Sequence, residues 1–142
     1  MNYSLRATIP LAAAFVLGFA PLAQAKTLDI SGSFVTEGAA TSTPTGQVTG
    51  TLDTVTGKVT YKITYSGLSG PVNAAHFHGP AVAGQEAGVL LPIPGPYESG
   101  MHGTVTANAA TEKAILAGKT YVNLHTAKYP MGEARAQVKV SS

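Results

Sequence analysis

The segment Lys58 to Tyr65 alternates polar and apolar residues, and this alternation restricts the fold more than any other feature of the sequence. In an extended strand, successive side chains point to opposite faces, so every second residue shares a face. One face would therefore be apolar and the other solvated, which is typical of an antiparallel sheet. The apolar face would comprise Val59, Tyr61, Ile63 and Tyr65.

Similar short runs recur between turns rich in glycine and proline, and long helical periodicity is absent. We therefore predict an all-β protein: a single Greek-key or immunoglobulin-like antiparallel β-sandwich of seven to eight strands with at most one short helix. The helix is predicted over Thr111 to Ala117, capped by Asn108 or Thr111. The predicted strands are a first one through Leu28, Ile30 and, after a slip in register, Phe34, then Val48–Val55, Lys58–Tyr65, Val72–His78, Val89–Ile93, Met101–Ala107, Tyr121–Thr126 and Ala134–Val140.

Residues 1–25 have the layout of a secretory signal peptide. Arg6 supplies a positive charge, an apolar run of residues 7–20 follows, and Ala23 and Ala25 are small residues where a signal peptidase cleaves. We expect cleavage after Ala25, a periplasmic or secreted protein without a membrane anchor, and a single domain over residues 26–142.

The composition excludes several functional classes. The chain contains no cysteine, which rules out disulfides, thiolate metal sites and a thiol nucleophile. Its net charge is only +2 and it has no basic run, so nucleic acid is not an expected partner. A Gly-x-Ser-x-Gly motif and a phosphate-binding loop are also absent. The sequence does not identify a protein partner.

The four histidines are the main candidates for a functional site. In the stretch AHFH, Phe77 is expected in the core, so His76 and His78 would lie on the opposite face of their strand. The same alternation turns His102 and His125 outward on their own strands. All four imidazoles are therefore expected on the outer side of the sheet.

A long loop is expected to fold over these outward histidines. The segment Gly79–Gly100 leaves directly after His78 and returns at His102, so chain connectivity would keep both of them, together with His76, close to one another. His125 joins this group only if its strand is a neighbour of the His76 strand.

Neutral imidazole is the commonest protein ligand for metals and suits copper and zinc. Three imidazoles also leave one coordination position open, as in sites that bind a substrate or exchange their metal. We therefore predict a copper or zinc site formed by His76, His78 and His125, with His102 as a further candidate. The alternative is that these histidines are incidental surface residues.

Four other polar residues accompany this group. Tyr121 and Asn123 share the outer face with His125, so they are candidates to orient its ring by hydrogen bonding. Glu133 and Arg135 lie two residues apart and are expected to form a charge pair at the rim of the sheet.

Two long motifs in the second half of the chain resemble the CHRD domain, a module of chordin and of secreted bacterial proteins. They are AAHFHGPAVAGQEAGVLLPI and LAGKTYVNLHTAKYPMGEARAQV. The resemblance implies a secreted immunoglobulin-like or Greek-key sandwich and no settled activity, and His102 has no counterpart in the family pattern. The matching residues are His76, His78, Gly79, Pro80, Gly118, Tyr121, Asn123, His125, Thr126, Pro130, Gly132, Glu133, Arg135 and Gln137.

A looser resemblance is to copper-zinc superoxide dismutase, which also places His-x-His on an outer strand and a further histidine on a later one. This resemblance implies a copper-only redox site, with Arg135 attracting an anion. The zinc-site aspartate, its histidine partners and the disulfide of that family have no counterpart in this sequence.

Three functional hypotheses follow. The first is an exported CHRD-type binding module with a three-histidine copper or zinc site. The second is a structural or protein-interaction β-sandwich without metal. The third is a copper-only enzyme that handles superoxide. We favour the binding module over an enzyme.

Overall fold

The computed structural model describes residues 18–21, 24 and 26–142, so most of the predicted signal peptide lies outside the described residues. Within those ranges, no helix is long and apolar enough to cross a membrane. The described chain forms eight strands and one helix: β1 (Thr27–Thr36), β2 (Thr45–Asp53), β3 (Lys58–Ser66), β4 (Val72–His78), β5 (Val89–Ile93), β6 (Met101–Thr106), α1 (Ala109–Leu116), β7 (Thr120–Thr126) and β8 (Ala134–Ser141).

All eight strands form one antiparallel sheet in the order β5-β4-β7-β8-β1-β2-β3-β6. Strand β8 pairs with β7 on one side and with β1 on the other, so it joins the two halves of the sheet. The sheet curls around a single core into a nearly closed, barrel-like sandwich with β5 and β6 as its edges. The predicted all-β antiparallel class, with one short helix, is confirmed.

Inward-facing residues of both halves fill the core. The alternation in β3 is confirmed, because Val59, Tyr61 and Ile63 are buried whereas Lys62 is exposed. Phe77 of β4 packs edge to face against Tyr61, with ring centroids 6.2 Å apart. Burial of Phe77 fixes the orientation of β4, so the residues on either side of it must leave on the outer face.

Strand β1 runs without the slip that we predicted between Ile30 and Phe34. Both residues and Leu28 are buried on one face, and the pairing with β2 is continuous. The position between Ile30 and Phe34 on that face is Gly32, where a Cβ would lie 2.4 Å from the carbonyl oxygen of Gln137. The β8 backbone approaches so closely that no side chain fits there. A glycine therefore interrupts the alternation of apolar residues between Ile30 and Phe34.

Two element ends differ from the prediction because side chains cap them. Helix α1 begins at Ala109, two residues before Thr111, and of the two predicted caps it is Asn108 that is confirmed, because its side chain accepts a hydrogen bond from the Thr111 N–H at 2.9 Å. Strand β2 ends at Asp53 rather than Val55. The Asp53 carboxylate accepts hydrogen bonds from two backbone N–H groups of the following turn, both at 2.9 Å.

Candidate metal centre

The adjacent strands β4 and β7 bring three histidines together. In the register of this pair, His76 lies opposite Asn123 and His78 lies opposite Tyr121, while His125 is two residues further along β7. Side chains opposite or diagonal to each other on one face of an antiparallel pair are within contact distance. The strand of His125 is therefore a neighbour of the strand of His76, which was the condition for His125 to join the group.

The imidazole nitrogens converge on a small volume. One nitrogen each from His76, His78 and His125 lies within 4.8 Å of the other two. Nδ1 of His76 is 3.1 Å from Nε2 of His125. Nitrogens that are bound about 2.0 Å from one tetrahedral ion would be separated by about 3.3 Å. The closest pair already has about this spacing, and the third nitrogen lies within 4.8 Å of both.

Backbone carbonyl groups fix two of the three rings. Nδ1 of His78 donates to the carbonyl oxygen of Ala87, and Nδ1 of His125 donates to that of Pro130, both at 2.9 Å. A carbonyl group only accepts, so each Nδ1 carries the hydrogen and each Nε2 has a lone pair. The lone pair of His125 Nε2 accepts a hydrogen bond from Nδ1 of His76, whereas that of His78 Nε2 has no partner among the described residues. Second partners of this kind commonly hold metal-binding histidines in the correct tautomer and orientation.

The electrostatics of the group favour neutral rings. Burial is the main cause that lowers the pKa of His76 and of His78 below the usual histidine value, and the nearby His125 ring acts in the same direction. Both rings are therefore neutral at pH 7, which is the form that binds a metal ion.

A covering loop, residues 79–88, lies over the outer faces of β7 and β8. It contacts Tyr121 on the outer face of β7, while the turn with Pro130 and Gly132 contacts Asn123 and His125, and every residue of this strand is buried. The Ala87 carbonyl oxygen accepts from the Tyr121 hydroxyl at 3.2 Å as well as from His78. The hydroxyl in turn accepts from the Ala87 N–H at 3.0 Å. The covering loop and the candidate ligand His78 are thus joined through one residue, Ala87.

Tyr121 forms the middle layer of a three-part stack. Its ring lies nearly parallel to that of His78, at 13° and with a centroid separation of 5.1 Å. On its other side, the Arg135 guanidinium carbon lies 3.6 Å from the Tyr121 ring centroid, a cation–π contact. The stack restricts the His78 ring from the side that its hydrogen bond to Ala87 leaves free.

Arg135 holds the covering loop in place. Its guanidinium donates to the carbonyl oxygens of Gln85 at 2.6 Å and Val82 at 3.0 Å, and to the Gln137 side chain at 2.9 Å. It also lies 3.7 Å from the buried Glu37 carboxylate. Burial raises the pKa of Glu37, although the neighbouring Arg135 opposes this shift. Arg135 therefore holds the covering loop by two hydrogen bonds to its carbonyl groups, and its contact with an anion stays a prediction.

Several predicted site residues lie elsewhere or act differently. His102 is not brought into the histidine group; it is exposed on β6, where it pairs with Lys62 of β3 and its Nδ1 lies 3.4 Å from the Gly100 carbonyl oxygen. Tyr121 and Asn123 make no hydrogen bond to a histidine ring. Tyr121 instead stacks on the His78 ring, and Asn123 lies opposite His76 in the strand register.

Sequence reasoning missed the two carbonyl groups that orient His78 and His125, because backbone acceptors have no residue-type signature. It also missed Gly132, which has φ of +124° and passes directly over the Asn123 side chain. The motif P-x-G-E held the only indication that a special backbone conformation follows Pro130.

Gly132→Ala is expected to reduce the free energy of unfolding by about 2 kcal/mol. A Cβ at this position would lie 2.4 Å from Oδ1 of Asn123, and the positive φ is unfavourable for any residue with a side chain. Gly84→Ala is the matched control, because Gly84 also has a positive φ but has open space around its Cα. Urea denaturation should show a clearly larger loss for Gly132→Ala, and equal losses would contradict the steric role.

The comparison with protein families gives one match. The model of the CHRD domain matches residues 27–138, which include all eight strands except the end of β8. No curated protein and no solved structure matches the chain. Because the match covers well over half of the sequence, the chain belongs to the CHRD domain family.

Proposed function

We propose that the protein is an exported binding module that holds one copper or zinc ion through His76, His78 and His125. Export rests on the signal-peptide layout of residues 1–25. Binding rests on the convergence of the three imidazoles on the outer face of β4 and β7.

The observation that carries the proposal is the unpaired state of Nε2 of His78. This nitrogen is buried and has no hydrogen-bond partner among the described residues. It carries a free lone pair, because Nδ1 of the same ring donates to Ala87. Buried polar atoms are nearly always paired, so an unpaired ring nitrogen beside two further imidazoles indicates a missing electrophilic partner. A metal ion would accept this lone pair and would replace the hydrogen bond between His76 and His125 with bonds to both of those rings.

The donor set determines which ions fit. Three imidazoles without a carboxylate or thiolate suit copper and zinc better than magnesium or calcium, which prefer oxygen ligands. His76 is only half-buried, so the group is reachable from solvent on that side. A site of this kind binds and exchanges its ion, whereas a structural site is closed by four protein ligands.

The test is metal binding by tag-free protein that has been stripped of metal and titrated with Cu(II) and Zn(II) in competition with a chelator. Wild type is expected to bind one equivalent. His78→Ala should weaken binding on the order of 100-fold, because even the loss of a residue that only hydrogen-bonds to a metal ligand can weaken metal binding by up to about 100-fold.

His102→Ala is the matched control, since this histidine is exposed and lies outside the group. It should bind like wild type. Equally weak binding by wild type and His78→Ala would reject the proposal in favour of a structural or protein-interaction sandwich. If copper is retained, a superoxide assay on the loaded protein then tests the enzymatic hypothesis.

A further inference from the structure

Asn123 is the polar residue at the centre of the histidine group. It lies directly opposite His76 across the β4–β7 pair, with Tyr121 and His125 two residues away on either side of it in β7. Since His78 is opposite Tyr121, the three candidate ligands are the nearest neighbours of Asn123 towards β4 and along its own strand. Asn123 therefore shares the outer face of the β4–β7 pair with all three candidate ligands.

The Asn123 side chain is enclosed yet unpaired. The residue is 3% exposed, and its Oδ1 atom has no hydrogen-bond partner among the described residues. Gly132 packs against the amide, so that a Cβ there would overlap it. Leaving a buried amide oxygen unpaired costs about 1–3 kcal/mol, so a persistent unpaired Oδ1 beside a candidate metal site indicates an absent donor.

We propose that Asn123 selects the ligand in the fourth coordination position of the bound ion, favouring a neutral hydrogen-bond donor such as water over an anion. This inference rests on the proposed metal site. The unpaired atom is an acceptor, so its partner must bring a hydrogen, as a coordinated water does. A small anion such as azide has no hydrogen to donate, and its charge would face the partial negative charge of the amide oxygen.

The protein loaded with Co(II), whose visible spectrum reports its coordination, provides the test by titration with sodium azide. Asn123→Leu keeps the size of the side chain and removes the acceptor, so azide should bind about tenfold more tightly than in wild type. Asn123→Asp keeps an acceptor and adds negative charge, so azide should bind more weakly. The opposite signs distinguish selection by the amide from a general loosening of the site.

Asn73→Leu is the control, because Asn73 is an exposed asparagine on the neighbouring strand β4. Its azide affinity should equal that of wild type. Unchanged azide affinity in both Asn123 variants, with Co(II) still bound, would overturn this inference and leave the proposed metal site standing. Failure of wild type to bind Co(II) or any other divalent ion would overturn both.

Discussion

Glu133→Gln is expected to reduce the free energy of unfolding by about 3 kcal/mol at neutral pH. The Glu133 carboxylate is fully buried. It accepts hydrogen bonds from the Ser69 backbone N–H at 2.6 Å, the Ser69 hydroxyl at 2.8 Å and the Thr126 hydroxyl at 2.5 Å. A glutamine would keep one acceptor oxygen and replace the other with an NH2 group, so the charge-assisted hydrogen bonds from the Ser69 and Thr126 hydroxyls would be lost.

The pH dependence provides a second readout of the same carboxylate. Burial alone would raise the pKa of Glu133, but the surrounding hydrogen bonds outweigh it and lower the pKa to about 2. A group with a lowered pKa stabilises the fold above its unfolded-state pKa, here 4.5, and this stabilisation is lost as the pH falls towards the folded-state value. Wild type should therefore lose stability between about pH 4.5 and pH 2.

Urea denaturation over a pH series measures both effects. The Glu133→Gln variant should be less stable than wild type at pH 7, and the difference should shrink as the pH falls below 4.5. Glu98→Gln removes an exposed loop carboxylate and should match wild type throughout. A constant difference between Glu133→Gln and wild type across this range would show that the ionised carboxylate is not the stabilising form.

Glu133 also shows what alternation along a strand does not reveal. We predicted an exposed pair of Glu133 with Arg135, but Glu133 is buried under the segment that contains Ser69, and Arg135 faces Glu37 instead. Alternation assigns a side chain to one face of a sheet, and it contains no information about whether another segment covers that face. Ser69, the partner of Glu133, and Glu37, the partner of Arg135, each lie more than 60 positions away in sequence.

The fold itself was largely predictable for a physical reason. Residues such as Val59 and Ile63 must be buried at every second position, so strand location and inward face follow directly from residue type. An error arose where a close backbone approach replaced an apolar side chain, as at Gly32 in β1, whereas Asn108 was among the predicted helix caps and is confirmed. The order of strands in the sheet depends on long-range pairing, and the sequence held no direct signature of it.

The candidate site was predictable only as far as alternation and chain connectivity reach. Phe77 oriented its two histidine neighbours, and the segment after His78 was expected to cover them. The same connectivity argument wrongly placed His102 near the group. After the loop the chain forms β6, which pairs with β3 at the other edge of the sheet and not with β4 or β7. A loop confines its two ends only within its own reach, and it does not specify which sheet face each end joins.

Arg135→Met is expected to reduce the free energy of unfolding by about 3 kcal/mol and to release the covering loop. Methionine has a similar length but cannot donate, so the carbonyl oxygens of Val82 and Gln85 would lose their partners. The cation–π contact with Tyr121 would also be lost. Amide hydrogen exchange should become faster for the Ala87 N–H, and denaturation should report the loss of stability.

Glu37 gives this second prediction a distinctive pH dependence. Burial already raises the pKa of Glu37, and without the Arg135 guanidinium nearby the pKa would rise further. A group with a raised pKa stabilises the fold below its unfolded-state pKa, and that contribution is lost as the pH increases through the folded-state value. The loss caused by Arg135→Met should therefore be greater at pH 8 than at pH 5.

A double-mutant cycle separates the charge effect from the fastening of the loop. In the Glu37→Gln background no buried carboxylate is left uncompensated, so Arg135→Met should cost less there and its cost should no longer depend on pH between 5 and 8. The faster exchange of the Ala87 N–H should persist, because the Val82 and Gln85 carbonyl groups still lack their donors. If exchange at Ala87 stayed as slow as in wild type, Arg135 would not be what holds the covering loop over Tyr121 and His78.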